Sequence, residues 1–313
     1  MRKWLMYPKL MPDVRVSIIS RDTHLVYSAM FPSVISKSIA LEECLIDIKS
    51  LAKSARVSFI EEEVKDIDFN SKKIILSNRP SVIYSKLVLN YGSQTRIPRE
   101  FEILVKNRNA FSIKPFLKAY ELIEKEDILD SANELPFLIV GSGLAAIEVS
   151  YALRKRWRDR SLKLLCDSRK INNKILKSLR NSNIDLVQNI NFDHGKILLC
   201  TGNMSPLWVQ KKLFDSDSNG RIITNQNLNL KKFSGIFATG DCAIVDKVKR
   251  PASGVFAVKV VDTLVQNLKK DIEGRSLKKW FPQNFGLQIV DVFPSNYPKA
   301  FAIYRNFVFG PFF

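Results

Sequence analysis

The stretch FLIVGSGLAAIEVS, residues 137–150, decides the fold of this chain. Its short apolar run leads into Gly141, Gly143 and Ala146, which follow the spacing G-x-G-x-x-A. The pattern predicts a buried strand, a tight turn and a helix, in which small residues allow the turn, the approach of a pyrophosphate and close helix packing. With Ser142 between the glycines, it favours a dinucleotide site at the helix N-terminus over a plain strand-to-helix turn.

An acidic residue follows the next predicted strand, which runs from Leu162 to Cys166 and ends at Asp167. A carboxylate about 20 residues beyond the glycines bonds the ribose 2′-hydroxyl of NAD in such units. The position of Asp167 therefore favours NADH. Arg169 and Lys170 lie just beyond it and could bind the 2′-phosphate of NADP, so NADPH stays open as the alternative nucleotide. The structural alternative for Asp167 is an acidic residue in a solvated turn, without a ligand.

The bulk composition limits the class of protein. The 313 residues, 46% hydrophobic and 26% charged, are enough for two globular domains. The sequence contains no run of about 18 apolar residues, which argues against a spanning helix, and prolines interrupt the first twelve residues before a signal peptide forms. The four cysteines form no ligand pattern with the two histidines, so we expect reduced thiols, a cytoplasmic location and no metal site.

The formal net charge of +18 raises the question of a polyanionic partner. A field of this sign attracts nucleic acid, anionic lipid or anionic cofactors. The basic residues are spread along the whole chain without a nucleic-acid-binding module. A solvated basic surface and small-molecule partners are therefore favoured over nucleic-acid binding.

The segments around the central unit predict a second α/β unit. Residues 14–20 form an alternating strand, and VSFIEEEV, KKIILS and KLVLNYGS after Val57 predict a strand meander that ends in a glycine turn. Two later apolar strands, KILLCTG and GIFATGDCA, each end in Thr-Gly. No short tandem repeat is present.

This order predicts that one domain interrupts another. We expect residues 113–228 to form an NAD(P)-binding domain inserted between the two parts of a second domain, residues 1–112 and 229–313. The predicted fold class is α/β, with three-layer sheet units.

In their order and spacing these motifs resemble the two-dinucleotide flavoproteins of the pyridine nucleotide-disulfide oxidoreductase superfamily. Three stretches are most similar to the NADH dehydrogenase-like proteins of this superfamily, including the FAD/NAD-binding portion found fused to selenide, water dikinase. These stretches are SRDTHLVYSAMFP (20–32), EECLIDI (42–48) and GVFAVK (254–259). The resemblance covers nearly the whole chain. It implies an FAD-dependent enzyme that moves a hydride from NAD(P)H to flavin and passes electrons to an acceptor.

The resemblance also assigns cofactor contacts to the two Thr-Gly strand ends. Thr239, Gly240 and Asp241 match the family motif whose acid bonds the ribityl chain of the flavin, and a carboxylate that caps the next helix is the alternative. Thr201 and Gly202 match the end of the earlier strand and are assigned to cofactor binding as well.

Two further features concern the flavin ring. By resemblance, the N-terminus of a helix faces the ring at Gly254, Val255 and Phe256. Glu148 resembles the acid that lies near nicotinamide and flavin, and we predict a catalytic role for it. An exposed helix acid that pairs with Arg156 or Lys155 is the alternative.

The chain departs from the family at its reaction centre and at its start. YSAMFP stands where disulfide reductases carry a C-x-x-x-x-C pair, so disulfide reduction is not expected. The first glycine loop, which belongs to FAD, is absent, and MRKWLMYPKLMPDVRV resembles the end of the helix that follows it. We therefore expect either a start assigned too late or a truncated chain. The second hypothesis for function is a non-catalytic NAD(P)-binding remnant that acts as an interaction or sensor protein.

The electron acceptor is open between a quinone, the first choice by resemblance, and a soluble molecule. The basic charge and an aromatic tail leave open a peripheral contact with an anionic inner membrane face. The aromatic residues of this tail are Phe301, Tyr304, Phe307, Phe309, Phe312 and Phe313. A homodimer is also left open.

Overall fold

The computed structural model describes residues 1–129, 135–190, 193–206, 214–248, 254–283, 286–292, 299–305 and 307–312. Its α-helices are α1 (Arg2–Met6), α2 (Phe31–Ile35), α3 (Ile48–Ser54), α4 (Glu102–Lys106), α5 (Phe116–Leu129), α6 (Leu144–Arg156), α7 (Asn173–Asn181), α8 (Gly254–Lys259) and α9 (Val261–Ile272). Short 3-10 helices cover Pro8–Leu10, Glu42–Cys44, Arg99–Phe101, Ser168–Lys170 and Gly240–Cys242.

The strands of the described residues are short, as expected for a mixed α/β chain. They are β1 (Ser17–Ser20), β2 (His24–Val26), β3 (Leu45–Asp47), β4 (Ser58–Glu61), β5 (Val64–Asp68), β6 (Lys73–Leu76), β7 (Val82–Ile83), β8 (Leu87–Leu89), β9 (Gln94–Thr95), β10 (Ala110–Ser112), β11 (Phe137–Val140), β12 (Leu162–Leu165), β13 (Ile184–Val187), β14 (Ile197–Leu199), β15 (Asn203–Met204), β16 (Ile222–Thr224), β17 (Ile236–Ala238), β18 (Ala243–Val245), β19 (Gln288–Val292), β20 (Lys299–Tyr304) and β21 (Phe307–Phe312).

The chain forms two compact units. Unit 1 comprises residues 1–25, 45–93 and 204–284, and unit 2 comprises residues 26–44, 94–203 and 285–313. These bounds differ from the predicted domains: the central part of unit 2 runs from residue 94 to 203 instead of 113 to 228, and unit 2 gains an early and a late segment. The reason is packing: apolar side chains of both added segments lie in the core of unit 2. They are Phe31, Val34, Ile35, Val290, Val292 and Phe301.

Unit 2 is built on a five-stranded parallel sheet in the order β10-β14-β11-β12-β13. All four residues of β11 are buried, as expected for a central strand of a parallel sheet that is covered on both faces. The antiparallel sheet β19-β20-β21 packs against α6. Arg154, in the last turn of this helix, donates hydrogen bonds to the carbonyls of Trp157, Arg158 and Arg160, the residues that directly follow the helix.

Unit 1 corrects the predicted meander. VSFIEEEV is not one strand: it divides at Glu62 into β4, which pairs in parallel with β1, and β5, which pairs antiparallel with β6. The strand in KLVLNYGS, β8, pairs in parallel with β17 instead of continuing the meander. In both cases a strand pairs with a partner far away in the sequence: β1 and β4 pack on one apolar cluster of unit 1, and β8 and β17 pack on another.

Candidate functional site

The loop after β11 closes tightly against the neighbouring strand end of unit 2. Gly141 has φ +150, and a Cβ atom added to it would lie 2.5 Å from the carbonyl oxygen of Cys200 and 3.0 Å from the Cβ of Ala146. A residue with a side chain does not fit this position. Gly141 and Ala146 are thus small because strand, turn and helix approach one another closely.

Gly143 is small for a different reason. It has φ −91 and ψ 169, and no atom lies within 4 Å of the place where its Cβ would stand. Gly143 is also the N-cap of α6, and it makes no side-chain capping hydrogen bond there. The first turn of α6 therefore offers backbone N–H groups next to open space, the arrangement that binds a pyrophosphate.

Ser142 joins the loop to the end of β12. Its Oγ accepts a hydrogen bond of 2.8 Å from the backbone N–H of Asp167. The Asp167 carboxylate accepts hydrogen bonds from Nε and Nη2 of Arg169 at 2.9 and 3.1 Å, and Lys170 lies 3.6 Å away. These bonds to Arg169 hold the pKa of Asp167 at about 2, so the carboxylate is ionised at neutral pH. The predicted acid and the two predicted cations thus form one charged cluster.

Thr201 and Gly202 follow β14, which is the neighbour of β11 in the sheet. The Thr201 hydroxyl donates a hydrogen bond to the carbonyl of Arg96, and the N–H of Arg96 donates to the carbonyl of Gly202 at 2.9 Å. Gly202 has φ +97 and open space where a Cβ would stand. The carboxyl ends of β11 and β14 therefore bring two segments of the predicted site to one edge of the parallel sheet.

Glu148 lies half-buried on α6, near the sheet that contains Asp291. Burial and, to a smaller extent, the charge of Asp291 together raise the pKa of Glu148 to about 7. Arg156, the proposed structural partner, binds Asp127 instead at 2.6 and 2.7 Å, and Lys155 donates to the hydroxyl of Ser38 at 2.8 Å. Asp291 was missed by the sequence analysis, because nothing local relates it to Glu148.

In unit 1, Asp241 lies where two parallel strands end together. The N–H of Thr239 donates to the carbonyl of Leu89 at 3.0 Å and extends the pairing of β17 with β8. Asp241 is half-buried and accepts a hydrogen bond of 3.4 Å from the hydroxyl of Ser93. Asp241 lies within a 3-10 helix, Gly240–Cys242, whose N-cap is Thr239.

Gly240 makes this turn possible. It has φ +76, and an added Cβ would collide with Oδ1 of Asn90. Asn90 and Ser93 were not predicted as site residues, although NYGS directly follows an apolar strand in the sequence. A carboxylate at the carboxyl ends of parallel strands suits the hydroxyl groups of a ribityl chain, so this corner fits a flavin.

Gly254, Val255 and Phe256 begin α8, as the sequence predicts for a helix start. Phe256 is buried, whereas Gly254 is exposed. The residues directly before this helix, 249–253, lie outside the described part of the chain. A contact of α8 with the flavin ring stays a prediction.

The remaining expectations concern membrane-spanning helices, metal sites, the cysteines and the aromatic tail. No helix among them is both long and apolar enough to cross a membrane. Within the same residues, no group of three or more His, Cys, Asp or Glu side chains is placed to hold a metal ion. The four cysteines are buried and unpaired. Phe313 of the predicted aromatic tail lies outside the described residues.

A family model described as "Pyridine nucleotide-disulphide oxidoreductase" matches residues 9–195. The chain belongs to this family. Among the curated relatives of this family member, a "Probable NADH dehydrogenase" of Dictyostelium discoideum is 23% identical over 299 residues, which cover 77% of this chain and 65% of that protein. A "Type II NADH:quinone oxidoreductase" of Staphylococcus aureus is 20% identical over 323 residues, 86% of this chain and 78% of the relative.

Solved structures confirm the predicted fold class of this family member. The sulfide:quinone oxidoreductase of Aquifex aeolicus superposes with a TM-score of 0.74 at 16% identity, covering 96% of this chain and 80% of that one. A water-forming NADH oxidase of Lactobacillus brevis gives 0.71 at 17% identity, with 96% and 71% covered. The architecture is that of the two-domain FAD/NAD(P) flavoproteins. The likeness to the portion fused to selenide, water dikinase stays a prediction.

Proposed function

We propose that this chain is an FAD-dependent NAD(P)H dehydrogenase, which moves a hydride from NAD(P)H to flavin and then passes electrons to a quinone or a soluble acceptor. The observation that carries the proposal is the loop of unit 2, where the first turn of α6 lacks a side-chain cap and Gly143 faces open space. Family membership and the names of the two curated relatives support it.

The residues of unit 2 would bind the nicotinamide dinucleotide. The backbone of the loop that begins at Gly141 and the first turn of α6 would hold the pyrophosphate, because their N–H groups meet the anion along the helix axis. Asp167 would accept a hydrogen bond from a ribose hydroxyl, and Thr201 and Gly202 would line the same sheet edge.

The corner of unit 1 would bind the flavin, with Asp241 on the ribityl chain and Thr239 and Gly240 shaping the turn. The start of α8 would face the ring. When bound, the flavin accepts a hydride and releases electrons, chemistry that no side chain supplies. The protein contributes hydrogen bonds and orientation.

Glu148 would hold and deliver a proton at its carboxyl group. A pKa of about 7 keeps both protonation states populated at neutral pH, as a general acid–base residue requires. Reduction of a quinone consumes protons as well as electrons, so an acid of this pKa suits the reaction. An ordinary exposed glutamate would be ionised and unable to donate.

The preferred nucleotide would be NADH. An ionised Asp167 accepts a hydrogen bond from a 2′-hydroxyl and repels a 2′-phosphate, while Arg169 is engaged by Asp167 itself. We expect Asp167→Ala to weaken NADH binding about ten-fold and to strengthen NADPH binding, because Arg169 is released. Fluorescence titration of both nucleotides measures this, and an unchanged ratio of the two affinities would refute the assignment.

A quinone acceptor would bring the protein to a membrane surface. The antiparallel sheet of unit 2 exposes Ile289 and Phe309, which lie in one row across its strands, and Phe307 and Tyr304 in the next row. Such an apolar face on a chain of charge +18 suits an anionic bilayer surface. Sedimentation with anionic vesicles tests this, and Ile289→Ser with Phe309→Ser should release the protein.

The central experiment tests the loop. We expect Gly143→Val to weaken NADH binding at least about ten-fold, because its side chain occupies the space that the pyrophosphate needs. The free energy of unfolding should stay nearly the same, since nothing lies within 4 Å of the added Cβ. Titration and urea unfolding are measured on the same samples. Equal NADH affinity in both proteins would remove the basis of the proposal.

A further inference from the structure

Unit 2 contains a pocket that lies apart from the residues assigned to the dinucleotide. It has a volume of about 380 Å³ and lies between α7 and the antiparallel sheet β19-β20-β21. One wall is a single face of α7, formed by Lys174, Lys177, Ser178 and Asn181 with the residue after it. None of the loop residues 141–146 lines this pocket. Its volume is in the range of small-molecule sites.

The lining of this pocket is strongly basic. Lys174 and Lys177 on the helix face Lys299 on the sheet, and none of the described residues that line the pocket is acidic. The Lys174 ammonium donates a hydrogen bond of 3.3 Å to the carbonyl of Val308, which holds it at the sheet. Lys174 and Lys177 lie one turn apart on the same face of α7, so their like charges repel each other and an anion with several charges would be bound favourably.

A buried hydroxyl lies behind the same wall. Tyr151 on α6 is fully buried, and its hydroxyl makes no hydrogen bond of good geometry. Burial raises the pKa of Tyr151 to about 12. Ser178, which lines the pocket, is near enough to Tyr151 to lower this pKa by hydrogen bonding. Buried polar groups are nearly always hydrogen-bonded, and the Ser178 hydroxyl is the partner that the structure offers to Tyr151. A ligand oxygen that accepts from Ser178 would leave the serine oxygen to accept from Tyr151.

We propose that this pocket binds a small molecule of the diphosphate class. Lysine ammonium groups bind phosphate as point charges, and the Ser178 hydroxyl and the Asn181 amide add donors for the remaining oxygens. The opposite wall includes the exposed Pro311, whose apolar surface accepts the organic part of such a ligand. The site goes beyond the proposed dehydrogenase reaction and does not depend on it.

The test is calorimetric titration of the full chain with inorganic pyrophosphate at low and at moderate salt. We expect binding that weakens as salt rises, and a loss of at least about ten-fold in Lys177→Glu. Arg180→Glu is the matched control, because Arg180 is an exposed cation on the same helix that does not line the pocket. This control should change the affinity by less than about two-fold.

Two further variants separate the outcomes. Lys299→Gln removes a cation from the other wall and should also weaken pyrophosphate binding. Because Lys299 lies outside α7, this variant tests the site even if Lys177→Glu disturbs the helix. Gly143→Val should leave pyrophosphate binding intact. The proposal is overturned if pyrophosphate does not bind, if Lys177→Glu and Arg180→Glu have equal effects, or if Gly143→Val abolishes binding.

The phosphates have two sources, a soluble diphosphate or a lipid headgroup. Vesicles of phosphatidylglycerol distinguish them, with phosphatidylcholine vesicles as the control. If the source is lipid, pyrophosphate releases the protein from the anionic vesicles, and Lys177→Glu reduces vesicle binding more than Arg180→Glu does. If the source is soluble, pyrophosphate binds in calorimetry but leaves vesicle binding unchanged. Both results support the site.

Discussion

Gly141 in unit 2 and Gly240 in unit 1 both follow buried parallel strands, but different neighbours constrain them. A Cβ on Gly141 would lie 2.5 Å from a backbone oxygen, that of Cys200. A Cβ on Gly240 would collide with a side-chain oxygen, that of Asn90. A backbone carbonyl in a parallel sheet moves only if the strand moves, whereas a side chain can rotate. The corner at Gly141, the proposed dinucleotide corner, is therefore rigid, and the corner at Gly240, the proposed flavin corner, is adjustable.

The largest effect is expected for Gly141→Ala. The substitution combines φ +150 with contacts to the backbone of Cys200 and to Ala146, and we expect the free energy of unfolding to fall by about 3 kcal/mol. Urea unfolding measures the change.

Gly143→Ala is the matched control for this experiment. It adds the same methyl group two residues further on, into open space at φ −91, so it should cost less than about 0.5 kcal/mol. If the two variants are equally stable, the contrast between packed and open glycines is wrong.

The second prediction tests whether the flavin corner adjusts. Gly240→Ala should cost about 2 kcal/mol, from φ +76 and the contact with Asn90. Adding Asn90→Ala removes the contact, so the double variant should regain about 1 kcal/mol relative to additive effects. A double-mutant cycle measured by urea unfolding gives this interaction energy. Strict additivity would mean that Asn90 does not limit the corner.

A third prediction concerns Glu148, on the helix that begins at the rigid corner. Its pKa is about 7 in the folded chain, against 4.5 ordinarily. The folded state therefore holds more protons than the unfolded state between these values, and stability falls as pH rises from about 4.5 to 7. Glu148→Gln removes this loss, and its unfolding free energy relative to the wild type should rise by about 2 kcal/mol from pH 4.5 to pH 8.

Asp291→Asn provides the companion measurement for Glu148. It removes the nearby charge that adds to the effect of burial, so the stability loss of the protein between pH 4.5 and pH 8 should become smaller without vanishing. An unchanged pH profile in Glu148→Gln would show that the carboxyl group titrates normally.

The smallest effects are expected for the serines at the two corners. Ser142 accepts a 2.8 Å hydrogen bond from the backbone of Asp167, whereas Ser93 donates a 3.4 Å bond to Asp241. Ser142→Ala should cost about 1 kcal/mol and Ser93→Ala less than about 0.5 kcal/mol in urea unfolding, because the shorter bond satisfies a backbone donor. The reverse order would show the flavin corner to be the more firmly bonded of the two.

Sequence reasoning located the strand ends and glycine turns at Gly141 and Gly240 because their signals are local. The apolar run before Gly141, the spacing to Ala146 and the carboxylate Asp167 all lie within one strand-turn-helix-strand segment. The division of VSFIEEEV into two strands was missed, because its first half pairs with β1 and its second half with β6. Asn90 was also missed, since its importance depends on Gly240, which is distant along the chain.

By itself the sequence determined the strand-turn-helix unit around Gly141, the strand ends at Thr201 and Thr239, and the α/β class, because glycine spacing and apolar periodicity are properties of neighbouring residues. Only the tertiary structure decided that residues 26–44 and 285–313 belong to unit 2, that Asp291 acts on Glu148 and that lysines of α7 share a pocket with Lys299. These pairings arise from burial of apolar side chains against one core, and burial depends on the whole chain.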